Sequence, residues 1–559
     1  MANSVKALVA CGGCPRRNWN MKTILTVARD NGLEAFLHQY GSEVMGHLSG
    51  YDRLRLRGTL RSLYHAPVME RYLSKCHVRL LAFKDYVRQV SQRICTTAKA
   101  LATQLGRPYR YLSSNQADKE ALARRMAVEQ GVAEGLITVL GCVEPCKSFR
   151  VHGGYADHLL HLVLEPRQCL HLYFYCFHRH FGFMHLRLQT WFPFQIDICL
   201  NGREWLCRQL DAAGMAYCRQ DNCVVQVQDW ARAQALLDAQ VQWDWPQAMQ
   251  QLLKQFHPLW KQLCRPLDLS YYWSVSESEY ATDIVFRDAA TLARLYPQWI
   301  RHAITTFGCT DVMRYLGRRV SPQPGQVPGN FAGEVISDIK RRQEGVRAKH
   351  SVNGNSVKMY DKAYSPVGNV FRAEATTNRP QEFRTFRRAE GQSQGPKKWR
   401  VLRRNVADLP RRAEISMAIN GRYLAALAST NGTTPLAEAA ATVCGPVRRW
   451  GRRYRALNPW SPQDAVLLEA VSCADFVVAG LRNRDLQARL FSNQQVSKSE
   501  RRRRANRITR RLALLRAHRL LRKVTGTHRY LLTAKGRTVV TALLAARQAN
   551  VDQLNKVAA

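Results

Sequence analysis

Acidic residues are scarce in this chain: 42 Asp and Glu stand against 84 Lys and Arg in 559 residues, a formal net charge of +42. A surface so one-sided repels itself unless an anion screens it, and nucleic acid is the polyanion that most often does so. Long apolar runs are missing too. No stretch reaches the roughly 18 residues that a spanning helix needs, so no membrane span is expected. Residues Met1 to Ala10 lack a basic start followed by a long apolar stretch, and no secretory signal is expected there. Cysteine is thin: 16 residues in so long a chain fall well below the level of a disulfide scaffold. Cys11-Gly-Gly-Cys14 and Cys142-Val-Glu-Pro-Cys146 have metal-like spacing, yet neither has the second close pair of a zinc ribbon. Zinc is therefore not expected, and no internal repeat is visible.

What is present is ample core material, 46% apolar and 9% aromatic, in a chain long enough for several domains. The expected fold class is α+β and multidomain. Residues 1–150 read as a mainly helical N-terminal domain, with one strand near 52–57 where Asp52-Arg-Leu-Arg-Leu-Arg-Gly58 alternates strictly. Residues 151–320 read as an aromatic-rich α/β centre, β up to Leu200 and helical from Asp229 to Leu316. The Pro/Gly-rich run from Ser321 to Gly329 marks a boundary. Residues 330–460 read as a basic module containing a β-hairpin, and residues 461–559 as a separate helical unit with a small hairpin.

Charge concentrates toward the C-terminus. Residues 340–460 hold 25 Lys and Arg against 8 Asp and Glu, and residues 461–559 hold 20 against 6. The last hundred residues carry a legible order. Ser461-Pro462 opens a helix, a second runs near Asn483 to Phe491, and a third, strongly basic, runs from Ser499 to about Leu521. A Leu521–Leu532 hairpin and a helix capped by Thr533 follow. Helix, helix, basic helix, hairpin, helix is the order of a winged helix. The stretch from Leu515 to Arg537, with its basic wing and Leu532-Thr-Ala-Lys-Gly-Arg close, resembles the MarR-type family. The resemblance implies that the third helix enters a DNA groove while the wing tracks a neighbouring groove or backbone. By position, Arg501, Arg502, Arg503, Arg504, Arg507, Arg510 and Arg511 would lie on or lead into that helix, with His528 and Arg529 in the wing.

The other informative stretch is Asn355-Ser-Val-Lys-Met-Tyr-Asp-Lys362 followed by Asn369-Val-Phe-Arg-Ala-Glu-Ala-Thr-Thr-Asn378. Both runs alternate. On the first, Val357, Met359 and Asp361 face one side while Ser356, Lys358, Tyr360 and Lys362 face the other; on the second, Arg372 and Glu374 share a face. A tyrosine hydroxyl can attack a phosphodiester if a base takes its proton and cations neutralise the phosphate. Tyr360 is the candidate nucleophile, with Lys358, Lys362 and Arg372 as the cations. Glu374 and Asp361, joined by Asp52, Asp283 or Glu334, are candidate oxygen ligands for Mg²⁺ or Mn²⁺. The phrase Tyr-Asp-Lys followed by hydrophobic-Arg-x-Glu is similar to a strand pair in rolling-circle replication initiators of plasmids and filamentous phages. It departs from them after the lysine, where Ala363-Tyr364-Ser365 stands. The alternative is an exposed, salt-bridged structural hairpin without chemistry, one that binds a nucleic-acid backbone included.

The whole chain also resembles an uncharacterised bacterial family of large basic proteins, through residues 48–53, 188–194 and 355–362. That resemblance implies a bacterial cytoplasmic, nucleoid-associated protein and brings no established activity. Three functions stay open at this point. A DNA-processing protein of a mobile element or plasmid, a metal-dependent endonuclease or strand transferase, stands first. A non-enzymatic winged-helix regulator and an RNA-associated DNA-targeting protein stand beside it. DNA is the expected partner, RNA the second, with homodimerisation open and no membrane contact.

Overall fold

The computed structural model describes residues 32–549, apart from 154–158, 306, 319–332, 343–344, 363–367, 390–391, 393, 429–435, 473–475, 477–479, 492–496 and 525–526. The Pro/Gly-rich run at 321–329 and the pair Cys11 and Cys14 thus lie outside the described residues. The protein is α+β, and its frame is one eleven-stranded sheet. In chain order its strands are β1 (Val44–Thr59), β2 (Tyr109–Leu112), β3 (Gly135–Gly153), β4 (Leu160–His178), β5 (Gly182–Gln189) and β6 (Ile196–Asn201). A separate hairpin follows, β7 (Tyr217–Gln220) and β8 (Cys223–Val227). The sheet resumes with β9 (Tyr272–Phe286), β10 (Val335–Arg342), β11 (Gly345–Val352), β12 (Asn355–Lys362) and β13 (Val370–Thr377). Across the sheet the order is β10-β11-β12-β13-β9-β1-β6-β5-β4-β3-β2, antiparallel except for the β2–β3 pair.

This topology bears on three expectations. Residues 150 and 320–330 are not boundaries of the sheet, because β13 hydrogen-bonds to β9 and β9 to β1. The basic hairpin therefore extends the same sheet that the N-terminal and central segments build. The stretch read as helical from Asp229 to Leu316 is interrupted by β9, fifteen residues long. The strand seen near 52–57 is one part of β1, which reaches from residue 44 to 59 and sits beside β9 at the centre.

Alternation decides which face each strand buries. On β12 and β13, Val357, Met359, Phe371, Ala373 and Ala375 enter a core with Trp299, Leu424 and Tyr423 from helices Ala289–Thr305 and Leu409–Leu427. A larger core packs Leu54, Leu56, Leu186 and Ile198 with residues of helices Phe83–Gln104, Gly202–Ala212 and Trp245–Phe256. Helix Leu409–Leu427 is tied to the central strands. Tyr51 donates to Leu409 O at 2.9 Å and Asn420 Nδ2 to Tyr280 O at 3.0 Å.

Downstream, β14 (Arg384–Arg387) pairs with β15 (Lys398–Val401), and β16 (Val447–Arg449) with β17 (Arg452–Tyr454). The C-terminal segment has its own core. Its helices are Pro462–Ser472, Asn483–Leu490, Lys498–Ala517 and Ala534–Gln548, with hairpin β18 (Leu521–Lys523) and β19 (Tyr530–Leu532) before the last. Leu481 bridges to Tyr530, adding a third short rung to that hairpin. Ser497 caps the basic helix through Glu500 N, and Thr533 caps the last through Gly536 N at 2.9 Å.

Candidate active site

The polar face of the hairpin β12–β13 is where chemistry-bearing residues meet. Antiparallel register sets Lys358 opposite Glu374 and Tyr360 opposite Arg372. The next strand sets Arg372 opposite Asp283 on β9. Between β9 and β1 the register runs Tyr280–Tyr51 and then Glu279–Arg53, so Asp52 is an extra residue in β1. A bulge of this kind re-aims a side chain that the pleat would otherwise turn away. Strands lie about 4.8 Å apart, so four neighbouring strands bring their carboxylates and cations within contact distance.

One oxygen each from Asp52, Glu279 and Glu374 lie within 4.8 Å of one another. Among the described residues this is the group of His, Cys, Asp and Glu side chains placed to share a metal ion. Lys358 Nζ lies between two of them, 2.5 Å from Glu374 Oε1 and 3.3 Å from Glu279 Oε1. Burial works against the Lys358 charge, but Glu374 and Glu279 outweigh it and hold the ammonium form above its ordinary range. Tyr360 donates its hydroxyl hydrogen to Glu374 Oε2. Burial, reinforced by Glu374, raises the Tyr360 pKa well above the usual phenol value, so the resting side chain is a neutral phenol.

Behind this front lies a fully buried ion network. Arg372 is 0% exposed, with Nε 2.5 Å and Nη2 2.8 Å from the Asp283 oxygens and Nη1 3.1 Å from Asp52 Oδ1. Arg203, equally buried, holds Asp283 from the far side at 2.8 Å. The turn of β7–β8 closes the roof: Asn222 Nδ2 donates to both Asp52 oxygens at 3.0 and 3.2 Å, and its carbonyl accepts from Arg372. Four carboxylates, Asp52, Glu279, Asp283 and Glu374, thus face three buried or nearly buried cations, Lys358, Arg203 and Arg372. Arg53 at the rim adds a partly exposed fourth, 3.1 Å from Glu279.

Several sequence expectations meet this geometry differently. Tyr360, Lys358 and Glu374 come together, and Asp52 joins them. Asp361 does not join them. Its side chain alternates to the opposite face of β12, and burial raises its pKa to about 6. Glu334 is exposed, away from the cluster. Arg372 and Asp283 are committed to each other, so Arg372 positions Asp52 and is not open to a phosphate. The side chain of Lys362 lies outside the described residues. Glu279 lies within the stretch whose composition reads as helical and is not among the expected ligands; the alternating Trp273-Ser-Val-Ser-Glu-Ser-Glu-Tyr280 is the sequence signal of its strand.

Elsewhere, Arg501, Arg502, Arg503, Arg507 and Arg510 are exposed on helix Lys498–Ala517. Arg504 turns inward to Glu500 at 3.3 Å and lies over the Phe491 ring, and Arg511 is half-buried. His528 is exposed and Arg529 half-buried, just ahead of β19. Phe192 and Phe194 fill the larger core, and His171 is buried with Nδ1 3.1 Å from Cys169 O. Compared with known proteins, the chain matches no family model, no curated protein and no solved structure.

Proposed function

We propose that this protein processes DNA by metal-dependent phosphoryl transfer, with Tyr360 as nucleophile, as a mobile element or plasmid would require. One observation carries the reading: three carboxylates from three separate strands converge beside a lysine and a tyrosine. The donor set is all oxygen, which suits a hard divalent cation such as Mg²⁺ or Mn²⁺ over zinc. Asp52, Glu279 and Glu374 would hold it, and Asn222 and Arg372 keep Asp52 aimed. Bound there, such a cation would stabilise negative charge on the phosphate and favour the phenolate.

The chain's own residues supply the remaining parts. Glu374 accepts the Tyr360 proton as the phenolic oxygen forms its bond to phosphorus. The bond from phosphorus to the leaving sugar oxygen breaks, and that oxygen takes a proton from water or from Lys358. Lys358 otherwise neutralises a non-bridging phosphate oxygen. The exposed arginines of the C-terminal basic helix, read as the recognition helix of a winged helix, would hold duplex DNA near its target.

The test is incubation of the full-length protein with end-labelled DNA in Mg²⁺ or Mn²⁺, read on denaturing gels with and without protease. Cleavage with a protein–DNA adduct is expected for wild type. Glu374→Gln should lose both, by at least about a hundredfold. Tyr360→Phe should lose the adduct; if it still cleaves, water is the nucleophile and the protein is a nuclease. Intact DNA under every metal condition, with tight duplex binding retained by residues 461–559, would instead identify a regulator.

A further inference from the structure

Hairpin β14–β15 stands apart from the site just described. Its register pairs Phe386 directly with Trp399, so both rings lie on one face of the ribbon. Their centroids are 5.6 Å apart, yet Phe386 is 55% and Trp399 63% exposed. Two adjacent aromatic rings left in water on a two-stranded ribbon form a contiguous patch, unlike scattered surface apolar residues. The stem beneath them is anchored. Thr385 is buried on the opposite face, Arg411 Nε donates to Arg384 O at 3.1 Å, and Leu402 N donates to Phe383 O at 2.9 Å. Arg403 is clamped on Asp408, 3.1 Å from Nε to Oδ2.

The charge around the rings names the occupant. Residues 383–404 contain eight Lys and Arg and one Glu. A protein partner for such a patch would need a dense acidic face, whereas nucleic acid carries a phosphate at every residue of its backbone. Aromatic faces flanked by cations are the means by which unpaired bases are held, and a duplex keeps its base faces stacked out of reach. The chain leaving the hairpin is tied to β9, the strand that carries Glu279. Val275 N donates to Arg404 O at 2.6 Å, and Ser274 bridges to Asn405. Glu279 lies four residues farther along the same strand, about 13 Å at strand rise.

We infer that hairpin β14–β15 is a stacking platform that grips single-stranded DNA beside the candidate active site. Naming DNA over RNA rests on the function proposed above; the grip on unpaired bases does not. Because the platform touches none of Asp52, Glu279, Glu374, Lys358 and Tyr360, its binding is measured in EDTA, where cleavage plays no part.

The experiment is fluorescence anisotropy of a labelled oligothymidylate, longer than the ~4–16 nucleotides of a typical site, titrated with the full-length protein. Trp399→Ala should weaken binding at least about fivefold, and Phe386→Ala with Trp399→Ala about twenty-fivefold or more. Trp399→Phe, which keeps a ring, should retain most of the affinity. Trp399→Leu, which keeps apolar bulk without one, should bind like the alanine variant. A matched duplex should lose less than twofold in each case. Wild-type affinity in the double variant overturns the inference, as does an equal loss for duplex and single strand. Loss confined to an oligouridylate overturns the assignment to DNA, and a change of mass in light scattering with binding intact makes the face a protein interface instead.

Discussion

Arg372 spreads one guanidinium over two carboxylates, Asp283 and Asp52, with no atom of it exposed. Removing one partner of such a buried network leaves the other charges uncompensated, at a cost of roughly 3–5 kcal/mol. Arg372→Met should therefore lower the unfolding free energy by about that amount in urea titrations. Arg372→Lys should recover only part, since an ammonium cannot form the paired contacts of the fork. Asp361 has the opposite character. Its carboxyl is half-buried, with Oδ1 enclosed and lacking a hydrogen bond, and its pKa is raised to about 6. Below about pH 4 the residue is protonated in both folded and unfolded chains. Between pH 4 and 6 the unfolded chain gives up the proton first, so stability falls as pH rises through that window. Asp361→Asn should raise the melting temperature at pH 7.5 and leave it unchanged at pH 4.

At the scale of elements, period-two alternation was enough to separate the two faces of β12 and β13, because apolar core residues alternate there with polar and charged ones, Asp361 on the core face excepted. Ser and Pro at position 461–462 and Thr533 marked helix starts in the C-terminal segment for equally local reasons, and α+β character followed. Strand β9 was not legible in the same way. Its middle, Ser276-Glu-Ser-Glu279, carries charge where a central strand ordinarily carries Val or Ile, since one face lines the acid cluster. The bulge that turns Asp52 inward depends on pairing with residues more than two hundred positions away, and no local pattern encodes that. Close packing on β1 adds a checkable consequence. A Cβ at Gly46 would come within 2.1 Å of the Trp230 ring, whereas nothing lies within 4 Å of one at Gly41. Gly46→Ala should destabilise the protein by about 1–3 kcal/mol. Gly41, at φ −62°, should accept Ala with a small gain of roughly 0.4–1 kcal/mol. Thermal unfolding of the two variants side by side checks both.

For the molecule as a whole, five buried or half-buried histidines set the acid limit. Burial lowers the pKa of His171, His178, His185 and His350 to about 4 and that of His257 to about 3. Each stays neutral in the fold at a pH where the unfolded chain, near 6.5, is already taking up protons. Stability should thus be complete above about pH 6.5 and fall steeply toward pH 4, outweighing the single opposing effect of Asp361. Melting temperatures across that range should show the decline, and replacing several of these histidines by Gln should flatten it.

The arrangement of β1 beside β9 also bears on how the chain is made. Strand β1 ends at residue 59 and its central partner begins at residue 272. At roughly 5–20 residues per second, a ribosome needs about ten to forty seconds to synthesise the intervening chain. Strand β6 covers one edge of β1 earlier, but the other stays open until β9 emerges, and β13 comes later still. The acid cluster consequently cannot assemble until both β9 and β13 have been synthesised. A nascent chain released before residue 374 would carry most of the large core and lack Glu374, so the acid cluster could not close on it.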